Sequence, residues 1–480
     1  MLRVIKRNIE GRRQTLINPK IIVAGASGYI GKALIPKLLE KFPTAEITAL
    51  SRTQQHSSDP RIIWKPCDLF SLKSIEDAIP LKADLAFYLV HSMSSTAHLD
   101  QGSFADYDLI LADNFARAVS QTRIMQLTYL GGLIPDEKVL SLHLQSRLEV
   151  EETFTQHKLP TTVFRAGLIL GEAGSSFQIL LKLVKRLPFM ICPGWTQNLT
   201  TPVDLTTVLE SLVSSALEQK HVNRIYDLAG CQPLTYMQMM KETALELRKK
   251  RYFFSVPFFT PTLSRLWVSL ITNTPRNLVY PLIESLEYPM VARDSHLYSR
   301  EWILLKYSDL LAKASLNTHS GSSLFQFKAQ RKTVRSVQRL PLPKGKNAEW
   351  IKEKYIHWLP RFLSPLIKVN LSGSKVLFTL FSKKLVLLEL ELSEARSSAD
   401  RQLLYIKSGF LVADKNKGRL EFRVVLNRRF ILAAIHDYNP KLPWFIYKYT
   451  QARLHLFIMR AFKSYLIYLV ANRDLPRYQQ

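Results

Sequence analysis

The sequence predicts an α/β protein in which a doubly wound parallel sheet with a substrate-side subdomain is followed by a smaller α+β domain. Three observations predict it. Short apolar runs alternate with helical patterns through the first half of the chain, the rhythm of βαβ units. A glycine-rich turn joins the first strand to the first helix. Late in the chain the apolar period falls to two, which gives an antiparallel meander, and a single long helix closes it.

Residues 21–24, Ile-Ile-Val-Ala, form a buried strand that leads through the glycine turn into a helix ending near Lys41. Strands two to four follow at 46–50, 61–66 and 84–90. A helix covers 107–120, a fifth strand 124–129, a helix Leu142–Gln156 and a sixth strand 161–169. Six strands in this rhythm fit a doubly wound sheet. From Gly171 the rhythm loosens, punctuated by Pro188, Pro193, Pro202, Pro233 and Pro257, where a substrate pocket would be built. Excess Ser, Gly, Lys and Arg over 316–347 reads as a linker. Beyond it, 375–381, 385–392, 402–412, 419–426 and 429–437 read as strands, and Trp444–Ala471 as a helix. The expected domains are a basic N-terminal extension (1–19), a dinucleotide-binding core (20–170), the substrate-side subdomain of the same unit (171–315), the linker (316–347) and a basic α+β domain (348–480).

With 47% hydrophobic and 22% charged residues in 480, the chain has the balance of a folded protein of two or three domains. Its net charge of +27 is local: residues 301–480 hold 32 Lys and Arg against 12 Asp and Glu. Such a field favours an anionic partner, whether phospholipid, nucleic acid or acidic protein. The cations are scattered over strands and loops with no recognised motif, so nucleic acid is not the expected partner. Cys67, Cys192 and Cys231 lie far apart without CxxC spacing, which argues for a reducing compartment and against a thiolate metal site. The expected location is cytoplasmic, with a peripheral place at a membrane as the alternative. Arg460 and Lys463 interrupt the apolar run 454–470, so a spanning helix is not expected there. That helix either covers a sheet, the favoured reading, or lies on anionic lipid. Residues 1–20 carry six basic residues against Glu10, a solvated basic leader, with an organelle transit peptide as the alternative.

Gly25-Ala26-Ser27-Gly28-Tyr29-Ile30-Gly31 follows a strand and opens a helix, the context that gives a glycine motif meaning. Gly25 permits the tight turn, Gly28 the close approach of a diphosphate, and Gly31 the contact of helix with sheet. The helix start offers amides and partial positive charge to phosphate. After strand two, where a carboxylate would bind the ribose hydroxyls of NAD, stand Ser51 and Arg52. A guanidinium pairs with a 2′-phosphate, so NADP(H) is favoured over NAD(H); the bland alternative for Arg52 is an exposed loop arginine.

These glycines, with Asp68-Leu69 after strand three and Leu89-Val90-His91-Ser92-Met93 after strand four, resemble the NmrA-like, atypical branch of the short-chain dehydrogenase/reductases. Tyr129-Leu130-Gly131-Gly132-Leu133, His143-Leu144-Gln145-Ser146-Arg147 and Arg165-Ala166-Gly167-Leu168-Ile169-Leu170-Gly171 extend the resemblance over about residues 20–280. It implies a Rossmann fold, with Asp68 on the adenine amino group and Val90 and His91 beside the nicotinamide ribose. The alternatives are a turn carboxylate for Asp68 and a satisfied strand-end residue for His91. Segment 404–462 is similar to the basic C-terminal extensions of that branch, whose function is generally unassigned. Its order of strands and helix resembles the helix-grip, START-like lipid-binding folds.

In the superfamily a Tyr and a Lys four residues later move the proton and hold the ribose. This chain has His143 and Arg147 at that place. An imidazole can transfer protons near neutral pH, whereas arginine acts only as a fixed charge. Asn114 and Thr128 stand near the superfamily's Asn and Ser positions, so Asn114, Thr128, His143 and Arg147 are the candidate catalytic set. Met93, Phe177 and Trp195 are candidates for the substrate pocket, and Tyr129 reads as core. The leading reading is an oxidoreductase on a small apolar carbonyl or alcohol. Its rivals are a non-catalytic NADPH-binding sensor or assembly factor working through a protein partner, and a peripheral membrane protein handling a lipid or quinone.

Overall fold

A computed structural model describes residues 18–91, 97–256, 261–299, 305–316, 331–381 and 385–471. Residues 1–17 of the basic leader, Met93, and 317–330 of the expected linker lie outside the described residues. The chain divides into two compact units: Met1–His91 with Asn114–Phe325, and Ser92–Asp113 with Gln326–Gln480.

The first unit is built on a parallel sheet. Its strands are β1 (Lys20–Ala24), β2 (Glu46–Ser51), β3 (Ile62–Pro66), β4 (Leu85–Tyr88), β6 (Gln126–Gly132), β7 (Thr161–Ala166) and β9 (Ile225–Leu228). Strand β5 (Ala97–Gln101) belongs to the second unit, and β8 (Phe189–Pro193) pairs in parallel with β10 (Tyr252–Val256). The order across the large sheet is β9-β7-β6-β4-β1-β2-β3, so the six expected strands are all present and β9 adds a seventh. Both faces are covered, which is why these strands read as continuous apolar runs. On one face Ile21, Val23 and Ile47 pack with Leu34, Ile35 and Leu38 of α1 (Tyr29–Lys41) and with Val208 and Leu212 of Leu205–Ser214. On the other, Tyr88 lies against Phe115, Tyr129 and Phe154 with ring centroids 5.1, 6.1 and 5.2 Å away. Tyr129 is fully buried there. Helix α2 is Leu72–Ala78, α3 is Phe104–Ser120 and α4 is Leu142–Gln156, capped by Ser141.

The loosened region folds into helices over the carboxyl edge of the sheet. They are α5 (Ser175–Arg186), α7 (Tyr236–Glu246), α8 (Pro261–Thr272), α9 (Arg276–Ser285) and α10 (Tyr307–Leu316), while α6 (Leu205–Ser214) is the helix beside α1 on the sheet face. α5, α7, α8, α9 and α10 share one apolar core through Leu180, Leu183, Met239, Met240, Val268, Val279, Ile283, Leu310 and Leu311.

In the second unit, part of the stretch read as linker is a strand, β11 (Arg331–Pro341), and a helix missed in the sequence, α11 (Ala348–Phe362), follows it. The meander is β12 (Ile367–Ser372), β13 (Lys375–Leu380), β14 (Val386–Leu392), β15 (Arg401–Ser408), β16 (Arg419–Val425) and β17 (Phe430–Tyr438). Its sheet order is β12-β13-β14-β15-β16-β17-β11-β5, antiparallel except that β5 pairs in parallel with β11. Residues 444–471 form α12 (Trp444–Tyr449) and α13 (Gln451–Ala471), separated by a turn of the backbone at Thr450. Together they are long and apolar enough, by length and composition, to cross a membrane. Ala452, Ile458, Met459, Phe462 and Leu466 are nevertheless buried in the core with Ile351, Tyr355, Phe422 and Val424.

The opposite face of this sheet is polar and still buried. Glu421 (2% exposed) receives Arg401 at 2.6 Å and Arg423, and Arg423 (1% exposed) reaches Asp113 at 2.8 Å. Arg339 pairs with Asp106 at 2.7 Å and Arg419 with Asp437 at 2.7 Å. Arg339, Arg401, Arg419 and Arg423 are therefore neutralised inside the unit. Burial pushes His436 well below its ordinary value, helped by Arg419 and opposed by Glu421 and Asp437. A histidine neutral when folded and free to protonate when unfolded makes stability fall as pH drops below about 6.5. Protection factors for the amides of β16 and β17 are expected to fall between about pH 7 and pH 5, and His436→Phe to flatten that dependence. Arg423→Met, which removes the buried guanidinium shared by Glu421 and Asp113, is expected to cost about 3–5 kcal/mol in a denaturation experiment.

Candidate functional site

The site grows from the turn between β1 and α1. Gly25 has φ of +85°, in the left-handed region, and a Cβ there would lie 2.8 Å from the Leu89 carbonyl oxygen. At Gly31 a Cβ would meet the Gly25 oxygen at 2.3 Å, so the helix can begin directly on the end of the strand only with glycine. The Gly28 amide donates to the Gly25 carbonyl at 2.9 Å and closes the turn. Gly28 is the N-cap of α1, with no side-chain cap and no acid in the first turn. Helices α2, α4, α6 and α7 are instead capped by Ser71, Ser141, Asp204 and Thr235. An uncapped, acid-free helix start facing the carboxyl edge of a parallel sheet fits a diphosphate. Ser27 is exposed beside it and Ile30 packs inward on the core. The Tyr29 hydroxyl receives the Ala173 amide, and a Cβ on Gly171 would collide with it.

Arg52 lies in the exposed turn after β2, and β2 pairs with β1 so that Leu50 sits opposite Ala24. The arginine thus leaves the sheet beside the glycine turn. Asp68 organises its own loop: its carboxylate accepts from the Phe70 amide at 3.2 Å, and its amide donates to Ser74 Oγ at 3.0 Å. The Leu69 carbonyl accepts from Asn114 Nδ2 at 2.8 Å. Asn114 is fully buried and fixes this loop, a positioning part in place of the proton-handling one expected of it. Thr128 is 1% exposed in the middle of β6, opposite Phe87. The candidate catalytic set is therefore not gathered in one place.

His91, His143 and Arg147 are gathered. Helix α4 carries His143 and Arg147 one turn apart, and β4 delivers Val90 and His91 from the adjacent strand end. The imidazole planes of His91 and His143 lie 5.3 Å apart, tilted by 34°. Arg147 Nη2 sits against the His91 ring, in contact with Nδ1 and 3.1 Å from Nε2. Arginine has only donors, so His91 accepts. The resemblance pointed to His143 and Arg147; the contact of Arg147 with His91 joins residues 56 apart and leaves no local trace.

His143 also lines a cavity of about 150 Å³. Gly132, Leu144 and Gly167 form its floor with the sheet, and Ile179, Leu180, Trp195, Tyr236, Met240, Ile283 and Leu286 form apolar walls. Ser176 and Ser285 add hydroxyls to the lining, beside the phenol of Tyr236 and the indole of Trp195. Trp195 lies edge-on to Tyr236 at 6.0 Å and donates to Ser264 Oγ at 3.2 Å. Phe177 is buried in the adjoining core and does not line the cavity. The walls from α7 and α9 went unrecognised in the sequence because an amphipathic helix gives no sign of what its apolar face encloses.

No model of a known protein family matches the sequence. Over 126 residues, 26% of this chain, it is 30% identical to "Auxiliary protein GraX" of Staphylococcus aureus (strain NCTC 8325 / PS 47), and the chain spans 40% of that protein's length. The triphenylmethane reductase of Citrobacter sp., solved with NADP(H), aligns with 61% of this chain and 99% of its own at 16% identity and a TM-score of 0.49. A nucleoside-diphosphate-sugar epimerase of Staphylococcus aureus aligns with 61% and 99% at 10% identity and a TM-score of 0.46. The NADPH-dependent quinone oxidoreductase QOR2 of Escherichia coli, complexed with NADPH, aligns with 63% and 96% at 16% and 0.44.

Replacing Gly31 by Ala is expected to destabilise the first unit by about 1–3 kcal/mol, read in thermal melts, because backbone atoms and not a flexible side chain stand in the way. By its own strand order, its glycine turn and the helices that flank them, the first unit carries a Rossmann fold.

Proposed function

We propose that the protein is an NADP(H)-dependent oxidoreductase acting on a small apolar carbonyl or alcohol. The observation that carries this reading is the apolar cavity with His143 in its wall, on the helix that also holds Arg147 against His91. Ser27 to Gly31 would hold the diphosphate, Arg52 the 2′-phosphate, Asp68 and Leu69 the adenine, and Val90 and His91 the nicotinamide ribose. The bound dinucleotide supplies or accepts hydride. His143 moves a proton to or from the substrate oxygen, a task suited to an imidazole near neutral pH. Arg147 keeps its charge and fixes His91. The apolar walls exclude water and set the preference for an apolar substrate. A cytoplasmic location suits three buried thiols, of which burial pushes Cys67 and Cys231 up to about 12.

The similarity to a protein named auxiliary favours one second reading, in which NADPH occupancy governs a protein partner without turnover. Fluorescence titration with NADPH and NADH tests what the two readings share. NADPH is expected to bind at least about tenfold more tightly, with Arg52→Asp cancelling the preference. His143→Ala is expected to lower turnover about a hundredfold or more on a carbonyl panel while NADPH affinity persists. Binding without turnover on any substrate would move the assignment to the auxiliary reading, and failure to bind either nucleotide would end both.

A further inference from the structure

The helices that close the second unit present two faces, and both are apolar. The inward stripe of α13 is used up in the core. Leu454, Phe457 and Tyr468 share the outward face at helical spacing, with Ile467 flanking them, and all four are at least half exposed. That face continues on α12 with Ile446, Tyr449 and Phe445, which is 77% exposed. The ring of Phe457 meets the exposed ring of Phe362 at 5.9 Å, which widens the patch onto α11. A helix that merely roofed a sheet would carry polar groups there.

Cations are interleaved with these side chains. Lys448, Arg453, Arg460 and Lys463 are exposed on the same surface, and the sequence has no acidic residue between Asp437 and Asp474. Arg453 and Lys448 lie over the Tyr449 ring at 5.1 and 5.6 Å. A second copy of the chain, docking through the same face, would bring cation against cation. A cavity of about 220 Å³ opens beside α12, lined by Leu99, Trp444, Phe445, Lys448 and Tyr449: apolar and aromatic walls with one ammonium.

We propose that this face docks in the plane of an anionic phospholipid bilayer. The rings and aliphatic groups of α12 and α13 enter the interfacial layer, while Lys448, Arg453, Arg460 and Lys463 reach the headgroup phosphates on their flexible stems. The cavity beside α12 receives part of a lipid, its phosphate at Lys448. The buried inward stripe keeps α13 on its sheet, so the helix lies along the membrane and does not cross it.

Co-sedimentation of the full-length protein with phosphatidylglycerol vesicles and with phosphatidylcholine vesicles tests this, with NADPH titration of each variant as a separate check on the first unit and circular dichroism as the check on folding. The wild type is expected to pellet with phosphatidylglycerol and to be released by salt. The pair Phe457→Ser with Tyr468→Ser, and the pair Arg460→Gln with Lys463→Gln, are each expected to weaken binding about tenfold or more with folding intact. The proposal is overturned if the wild type stays in the supernatant with phosphatidylglycerol at low salt, pellets equally with phosphatidylcholine, or loses nothing in either folded variant. Self-association of the wild type that the same variants abolish, with no vesicle binding, would reassign the face to a second copy.

Discussion

Where β1 gives way to α1 there is no volume for a side chain, and the geometry of the site follows from that restriction. Because Gly31 lets α1 start against the backbone of Gly25 and Ala26, the first-turn amides point over the carboxyl edge of the sheet. The strands on either side of β1 end at the same edge, β2 releasing Arg52 and β4 releasing Val90 and His91. A parallel sheet brings every strand's C-terminus to one rim, so residues distant in sequence converge without further instruction.

What the rim can do depends on His143 and Arg147, one turn apart on α4. A lysine ammonium is a mobile point charge, whereas a guanidinium is a rigid fork that keeps its proton. Here the fork is held against His91, and the cavity lining has His143 and Tyr236 as its titratable side chains. Walls of low polarity strengthen whatever charge develops beside them, so one imidazole there counts for more than it would in water.

The sheet of the first unit was legible because burial on both faces produces unbroken apolar strands, and the glycine turn because only one residue type fits it. α4 was read to its last residue, and the family resemblance pointed to His143 and Arg147 on it. The polar face of the second sheet was not legible. Glu421 and Arg423 alternate with Leu420, Phe422 and Val424, a pattern that ordinarily marks a strand with one side in water, and no local signal distinguishes a solvated arginine from one paired inside. Strand β5 escaped because its five residues make sense only beside β11, more than two hundred positions later. Asn114 was placed by homology of position with a chemical role, while its amide holds Leu69.

Strand β5 and the first half of α3 have a bearing on how this protein comes into being. The second sheet takes its edge strand, and the carboxylates of Asp106 and Asp113, from a loop emerging between two strands of the Rossmann core. Asp113 and Arg423 are 310 positions apart, so on the ribosome the acid waits through most of synthesis before its guanidinium exists. Closing so long a loop delays assembly, and until then the excursion offers an unsatisfied strand edge to any neighbour. A gene fragment cut at the apparent start of the basic region would encode arginines without their acids. The two units are thus interwoven along the polypeptide, and ancestry by simple end-to-end fusion would not yield this arrangement.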